Sequence, residues 1–345
     1  MERTDIKSLL PNELQEFLKN LGQPSYKARQ IFSWIHKGVC FYDQMTDISK
    51  DLRNKLLENT DFAPIIVKKK LVSSIDNTVK YLYELSDKEN IESVLMSNKY
   101  GNTLCISTQA GCRMNCGFCA STIGGLKRNL TASEMLDQVL TSMRDSGEKI
   151  SNVVLMGIGE PLDNYENVLK FLKLLSCEGG LNISLRHVSL STCGLVDKIY
   201  DLMQEKLQLT LSVSLHAPNN EIRAKIMPIN KKYNIETLLK ACDIYANTTK
   251  RRISFEYAMI SGVNDSDKCA NELIQRLSGM LCHVNLIPIN DVRENSYKKS
   301  NKETLTRFYD ILYRSGLSVT VRRTLGSDIN ASCGQLRQQQ SESGG

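Results

Sequence analysis

The chain has 345 residues, 41% of them hydrophobic and 24% charged, with a formal net charge of +6. These values exclude a collagen-like, low-complexity or intrinsically disordered chain and leave room for a buried core and roughly two domains. The mild positive charge is compatible with an RNA partner without requiring one. No stretch approaches ~18 uninterrupted apolar residues, so no membrane contact is expected. The first ten residues carry Glu2, Arg3, Asp5 and Lys7 and lack the apolar centre of a signal peptide, so the expected location is cytoplasmic. In a reducing compartment the eleven cysteines do not imply a disulfide framework. Cys40, Cys177, Cys193, Cys242, Cys269 and Cys282 read as small buried apolar residues.

Residues 1–62 read as a helical accessory domain, with helices over 12–18, 25–35 and 48–57 set by apolar residues at helical spacing. Its basic outer faces suit either a solvated cap or a nucleic-acid contact. Residues 63–108 change character to a β extension, with strands at 65–67, 78–85, 91–96 and 102–107. From Thr131, which opens a capping box with Glu134, helices and strands alternate. Strands are expected at 152–156, 187–191, 208–214, 252–257, 283–287 and 318–321, with helices between them. Six or seven such units argue for a parallel sheet curled into a full or partial barrel over residues 109–337. The Gln-, Ser- and Gly-rich residues 338–345 read as a disordered tail.

In such sheets, sites collect at the carboxyl ends of the strands. The unusual residues of this chain fall there: the cysteine run after the first strand, Gly157-Ile158-Gly159-Glu160-Pro161-Leu162 after the second, Ser191-Thr192-Cys193-Gly194 after the third, Ser214-Leu215-His216-Ala217-Pro218 after the fourth, and Pro288-Ile289-Asn290 later. The run Cys112-Arg113-Met114-Asn115-Cys116-Gly117-Phe118-Cys119 spaces three thiols as C-x3-C-x2-C, so that they can reach one inorganic centre from one loop. Three ligands to a [4Fe–4S] cluster leave one iron open. Zinc is the lesser alternative, because it usually takes four ligands and His36, His187, His216 and His283 form no close-spaced pair.

This run, after the first strand of a βα barrel, resembles the radical S-adenosylmethionine (SAM) superfamily. Together with Thr103 to Cys112, Gly157 to Asn164, Ser214 to Ala217 and Asp328-Ile329-Asn330-Ala331-Ser332-Cys333-Gly334-Gln335-Leu336, it resembles the RlmN-type methyltransferases over about residues 10–337. The resemblance implies an α/β fold: a partial (β/α)6-type radical SAM barrel with a small N-terminal helical domain and a short β extension. It implies Cys112, Cys116 and Cys119 as ligands of a [4Fe–4S] cluster. Two SAM molecules per turnover would be held by Gly159, Glu160, Ser191, Ser214, Leu215, His216 and Asn290. It further implies methylation of adenosine C2 in 23S ribosomal RNA and in transfer RNA. In that chemistry Cys333 carries a methyl group, Cys105 resolves an RNA–protein thioether through a transient disulfide, and Glu92 takes the C2 proton. A reductant such as flavodoxin and a monomeric state go with it.

Each assignment has a plainer rival. Cys105 could be a core thiol, Glu92 a surface strand residue, and Ser191, Ser214, His216 and Asn290 strand-end caps. Lys68-Lys69-Lys70, Lys127-Arg128, Lys231-Lys232, Lys250-Arg251-Arg252, Lys298-Lys299 and Arg322-Arg323 could grip RNA phosphates or simply face water. At the level of function, the rivals are methylation of C8 of the same adenosine, which confers antibiotic resistance, a metal-stabilised RNA-binding protein without turnover, and a radical SAM enzyme acting on a small metabolite. Within the resemblance, Pro161 after Gly159-Glu160 matches the C2 enzymes rather than the C8 ones.

Overall fold

The computed structural model describes residues 3–99, 101–290, 297–331 and 334–336. Thr4–Asp5 (β1) and Thr60–Asp61 (β2) pair in parallel and bracket three helices, α1 (Pro11–Asn20), α2 (Tyr26–His36) and α3 (Lys50–Asn59). Each helix buries one stripe at three- and four-residue spacing: Leu14 and Leu18, then Ala28, Ile31, Phe32 and Ile35, then Leu52 and Leu56. The stripes join the main core, and polar contacts fix the junction. Lys7 forms a buried ion pair with Asp137, and its Nζ also donates to the Ala63 carbonyl at 2.9 Å. The Leu181 amide donates to Nδ1 of buried His36 at 3.2 Å, and burial pushes the His36 pKa down to about 4.

Four strands follow, β3 (Ile66–Val72), β4 (Val79–Glu84), β5 (Asn90–Met96) and β6 (Asn102–Cys105). A short antiparallel hairpin of β7 (Gln109–Gly111) and β8 (Leu126–Asn129) carries the cysteine run in its loop. Then come α4 (Ala132–Ser146), β9 (Ile150–Leu155), α5 (Tyr165–Ser176), β10 (Val188–Thr192), α6 (Val196–Gln204) and β11 (Thr210–Ser214). The chain continues through α7 (Asn220–Ile226), α8 (Ile235–Thr249), β12 (Ile253–Met259), α9 (Asp267–Leu277), β13 (Cys282–Pro288), α10 (Lys302–Arg314) and β14 (Val319–Val321). The α4 capping box forms: the Glu134 amide donates to Thr131 Oγ1 at 3.2 Å and the Thr131 amide to Glu134 Oε2 at 2.9 Å.

One ten-stranded sheet runs in the order β14-β13-β12-β11-β10-β9-β6-β5-β4-β3. The strands β6 and β9 to β14 are parallel, as the βα alternation predicts, and amphipathic helices bury their apolar faces against the sheet, as α5 does with Val168, Phe171, Leu172 and Leu175. The β extension is not a separate appendage. β6 pairs with antiparallel β5 on one side and parallel β9 on the other, so β3 to β5 form one end of the same sheet.

Three readings of the sequence change at this level. The strand expected at 65–67 extends through Lys68-Lys69-Lys70 to Val72 as the edge strand β3, where lysines discourage edge-to-edge pairing. Two of those lysines have acidic partners, Lys68 with Glu84 at 2.7 Å and Lys70 with Asp145 at 2.6 Å, so the run is only partly available to phosphates. Cys40 and Cys177 are half-buried rather than core residues, whereas Cys193, Cys242, Cys269 and Cys282 are buried. The expected tail at 338–345 lies outside the described residues.

Candidate active site

The cysteine run turns sharply as it leaves β7, and Gly111 makes the turn possible. Its φ is +77°, and a Cβ there would lie 1.9 Å from the Gly125 carbonyl oxygen, so only glycine fits. The loop then docks on the C-terminus of α7, where the Gly117 amide donates to the Ile226 carbonyl at 2.9 Å. Cys112, Cys116 and Cys119 all line one cavity of about 170 Å³ at the carboxyl ends of the parallel strands. By this measure one water needs about 10–15 Å³, so the cavity accepts a sizeable ligand. Burial pushes the Cys112 thiol up to about 12 and the Cys116 thiol well above its ordinary range. Among the described residues no three His, Cys, Asp or Glu side chains close tightly enough on one point to hold a single ion. Three thiols lining one cavity are a donor set that fits an iron–sulfur centre.

Glu160 faces the thiols from the β9 side. Gly159 brings the chain there with φ +108°, and a Cβ would lie 2.6 Å from Cβ of Gln109. The Glu160 carboxylate is buried and accepts the Cys193 amide at 2.7 Å and the Leu162 amide at 3.1 Å. Burial raises its pKa, and these amides oppose the rise. Ser191, Ser214, His216 and Asn290 line the same cavity. His216 has φ +56°, and its Nδ1 accepts the Ala258 amide at 2.9 Å, which leaves the ring proton on Nε2. Burial lowers its pKa to about 3, so the ring is neutral, and Phe118 of the cysteine loop meets it edge-on at 4.8 Å.

The remaining expected residues lie elsewhere. Leu215 is fully buried behind the cavity, and its amide donates to the Glu256 carbonyl at 3.1 Å. Cys105 lines a second cavity of about 190 Å³ that shares Met156, Ile287, Asn290 and Arg322 with the first. Glu92 lines neither cavity. It is fully buried and pairs with Lys80 Nζ at 2.8 Å, which itself donates to the Asn330 carbonyl at 3.1 Å. Cys333 lies outside the described residues.

The described segments on either side of residues 332–333 are held firmly. Asp328 accepts from Ser73 Oγ at 2.7 Å and from the Ser74 amide at 2.9 Å, and the Gly326 amide donates to Asp76 at 2.9 Å. On the far side the Ala120 amide donates to the Gly334 carbonyl at 2.8 Å, and Ser121 Oγ to the Leu336 carbonyl at 2.7 Å. The turn between β3 and β4 and the end of the cysteine loop thus grip one C-terminal segment from two directions.

Sequence reasoning missed Cys193, Glu256 and Arg322, all of which line the first cavity. Glu256 is the one with a readable signal, the lone charge between Phe255 and Tyr257 in a mostly apolar strand. It accepts Asn285 Nδ2 at 2.8 Å, and burial raises its pKa.

Residues 106–272 match the model of the radical SAM superfamily, and residues 4–61 match the model described as the ribosomal RNA large subunit methyltransferase N-terminal domain. A protein of Alkaliphilus oremlandii (strain OhILAs) named "Probable dual-specificity RNA methyltransferase RlmN" is 53% identical over 337 residues, covering 98% of each chain. A protein of the same name from Clostridium novyi (strain NT) is 52% identical over 334 residues, 96% of this chain and 97% of its own. The chain belongs to the RlmN family. The crystal structure of a radical SAM methyltransferase from Sphaerobacter thermophilus superposes with a TM-score of 0.93 at 42% identity, covering 96% of this chain and 99% of that one. RlmN-family enzymes use a [4Fe–4S] cluster and SAM, and the first cavity offers a donor set for both: three thiols in one loop, and opposite them a carboxylate suited to an ammonium group. Among the described residues no helix is long and apolar enough to cross a membrane.

Proposed function

We propose that this RlmN-family chain is a radical SAM methyltransferase that methylates C2 of adenosine in 23S ribosomal RNA and in transfer RNA. C2 of adenine is electron-poor and has no lone pair with which to attack a methyl donor, so a polar transfer fails. When bound, the cluster and SAM supply the one-electron chemistry that makes a carbon radical accessible. Cys112, Cys116 and Cys119 would hold the cluster, and Gly159, Glu160, Ser191, Ser214, His216 and Asn290 would hold SAM. Leu215 would serve through its backbone, since its side chain is buried behind the cavity.

The chain's own groups then do three things. Cys333 carries the methyl group as an S-methyl thioether and becomes the point at which the base is bonded to the protein. Cys105 releases the RNA by forming a disulfide with Cys333, a transient bond that a reducing compartment can reset. Glu92, which pairs with Lys80, takes the C2 proton. The adenosine must leave its stack to reach the cavity that holds Cys105. We assign RNA contact to the domain of residues 1–62, with 63–108 as the β extension, 109–337 as the catalytic core and 338–345 as a tail. A monomer in the cytoplasm, fed by a flavodoxin-type reductant, completes the reading.

The observation that carries this is the shared wall of the two cavities. One holds the three cysteines and Glu160, the other holds Cys105, and Asn290 borders both. Mass spectrometry of ribosomal and transfer RNA fragments after anaerobic turnover tests it. A methyl group at adenosine C2 is expected; a methyl at C8, or unmodified RNA, overturns it.

A further inference from the structure

Arg223 is the largest fully buried side chain of the described residues. It sits in the last turn of α7, whose next residues meet the cysteine loop through the Ile226 carbonyl and the Gly117 amide. Its guanidinium is satisfied entirely by neutral oxygens. Nη2 donates to the carbonyls of Cys193 at 2.7 Å and Ser214 at 3.1 Å, Nε to the carbonyl of Leu215 at 3.1 Å, and Nη1 to Asn230 Oδ1 at 3.3 Å. Among the described residues no carboxylate lies within ion-pair distance of it. Burying a guanidinium without a counter-charge is costly even when its donors are bonded.

The nearby ionisable groups are thiols and the neutral imidazole of His216. Cys193 and Cys116 are those closest to it electrostatically, followed by Cys242, and Cys193 and Cys116 line the first cavity. Burial lowers the Arg223 pKa, but from so high an ordinary value that the guanidinium keeps its charge. A three-thiolate iron–sulfur centre in that cavity is anionic, and it becomes more so on reduction.

We infer that Arg223 is a positioning residue that supplies the buried counter-charge to the iron–sulfur centre while tying together the two strand-end loops, Cys193–Gly194 and Ser214–Leu215, that face SAM. This rests on the reading of Cys112, Cys116 and Cys119 as cluster ligands. It makes the apo protein the strained state, with a cation lacking its anion, and the loaded protein the relaxed one. It also sets the direction of a redox effect. Adding an electron to an anionic centre is easier beside a fixed positive charge, so loss of that charge must lower the midpoint potential.

The test uses the full chain, purified and reconstituted anaerobically, as wild type, Arg223→Met and Arg223→Lys. Iron and sulfide are measured first; wild type without iron defeats the cluster reading itself, whatever Arg223 does. With iron present, the midpoint potential is read by EPR-monitored titration, and Tm is read with and without cluster. The expected result is a more negative potential for Arg223→Met, little change for Arg223→Lys, and a smaller gain in Tm on reconstitution for Arg223→Met than for wild type. Equal potentials for all three, with Tm lowered equally in apo and loaded protein, would make Arg223 only a structural brace and overturn the inference. Should both variants fail to fold, hydrogen exchange on wild type decides. Amides of Gly194, Leu215 and His216 gain protection when the cluster is installed; unchanged protection overturns the inference.

Discussion

At Glu160 two effects oppose one another. Burial disfavours its charge, while the Cys193 and Leu162 amides favour it. A carboxylate held this way is suited to meet an ammonium group, because the partner completes a charge that the amides have already partly stabilised. A hydrogen bond to a charged group contributes about 1.5–3 kcal/mol. Glu160→Gln is therefore expected to weaken SAM binding about 10–100-fold, measured calorimetrically on reconstituted protein, with iron content unchanged. Loss of iron together with SAM affinity would mean that Glu160 shapes the cluster loop instead. Residues of this kind were legible in the sequence because they come in runs: the cysteine spacing and Gly159-Glu160 announce themselves. Arg223 and Cys193 did not, because a single polar residue in a short helix or strand-end loop carries no pattern, and Glu256 showed only as a lone acid between Phe255 and Tyr257. Only the three-dimensional packing reveals that the guanidinium lies behind two loops at once.

Between elements, the ion pair of Lys80 on β4 and Glu92 on β5 is the most consequential contact. Both side chains are buried, and Lys80 also reaches the Asn330 carbonyl in the C-terminal segment. Removing one partner leaves the other charge buried, a change that costs about 3–5 kcal/mol, whereas removing both costs far less. Lys80→Met should lower stability in urea by about that amount, and Lys80→Met with Glu92→Leu should recover much of it. Additive losses in the double variant would mean that the two side chains do not act as a pair.

The junction of α2 with the core gives a pH prediction. His36 has a folded pKa near 4, below its ordinary 6.5, because burial disfavours its charge. Its contribution is fully present above pH 6.5 and is lost as the pH falls towards 4. The loss should reach about 2 kcal/mol between pH 7 and pH 5. Urea unfolding of wild type and His36→Gln checks this, and the variant should show the flatter profile over that range. The helices and parallel strands around these contacts could be read locally, since apolar stripes and β-branched runs repeat within each element. The merging of β3 to β5 into the main sheet could not, because which strand pairs with β6 is decided by residues far apart in the chain. The β7/β8 hairpin was hidden for another reason: its strands are only three and four residues long, too short to show alternation.

Across the whole molecule, the fold brings residues from position 94 to position 336 together, and two cavities with a common wall divide the work there. One side suits the metal centre and its ligand, and the other suits a base beside a thiol. In the proposed reading the sulfur that carries carbon serves both sides, and a second sulfur frees the product. The Cys105→Ala variant isolates that last step. Incubated anaerobically with SAM, reductant and RNA, it should retain RNA covalently on Cys333, visible as a shifted band on a denaturing gel and as a one-carbon bridge by peptide mass spectrometry. Release of C2-methylated RNA at the wild-type rate, with no adduct at any time, would contradict it.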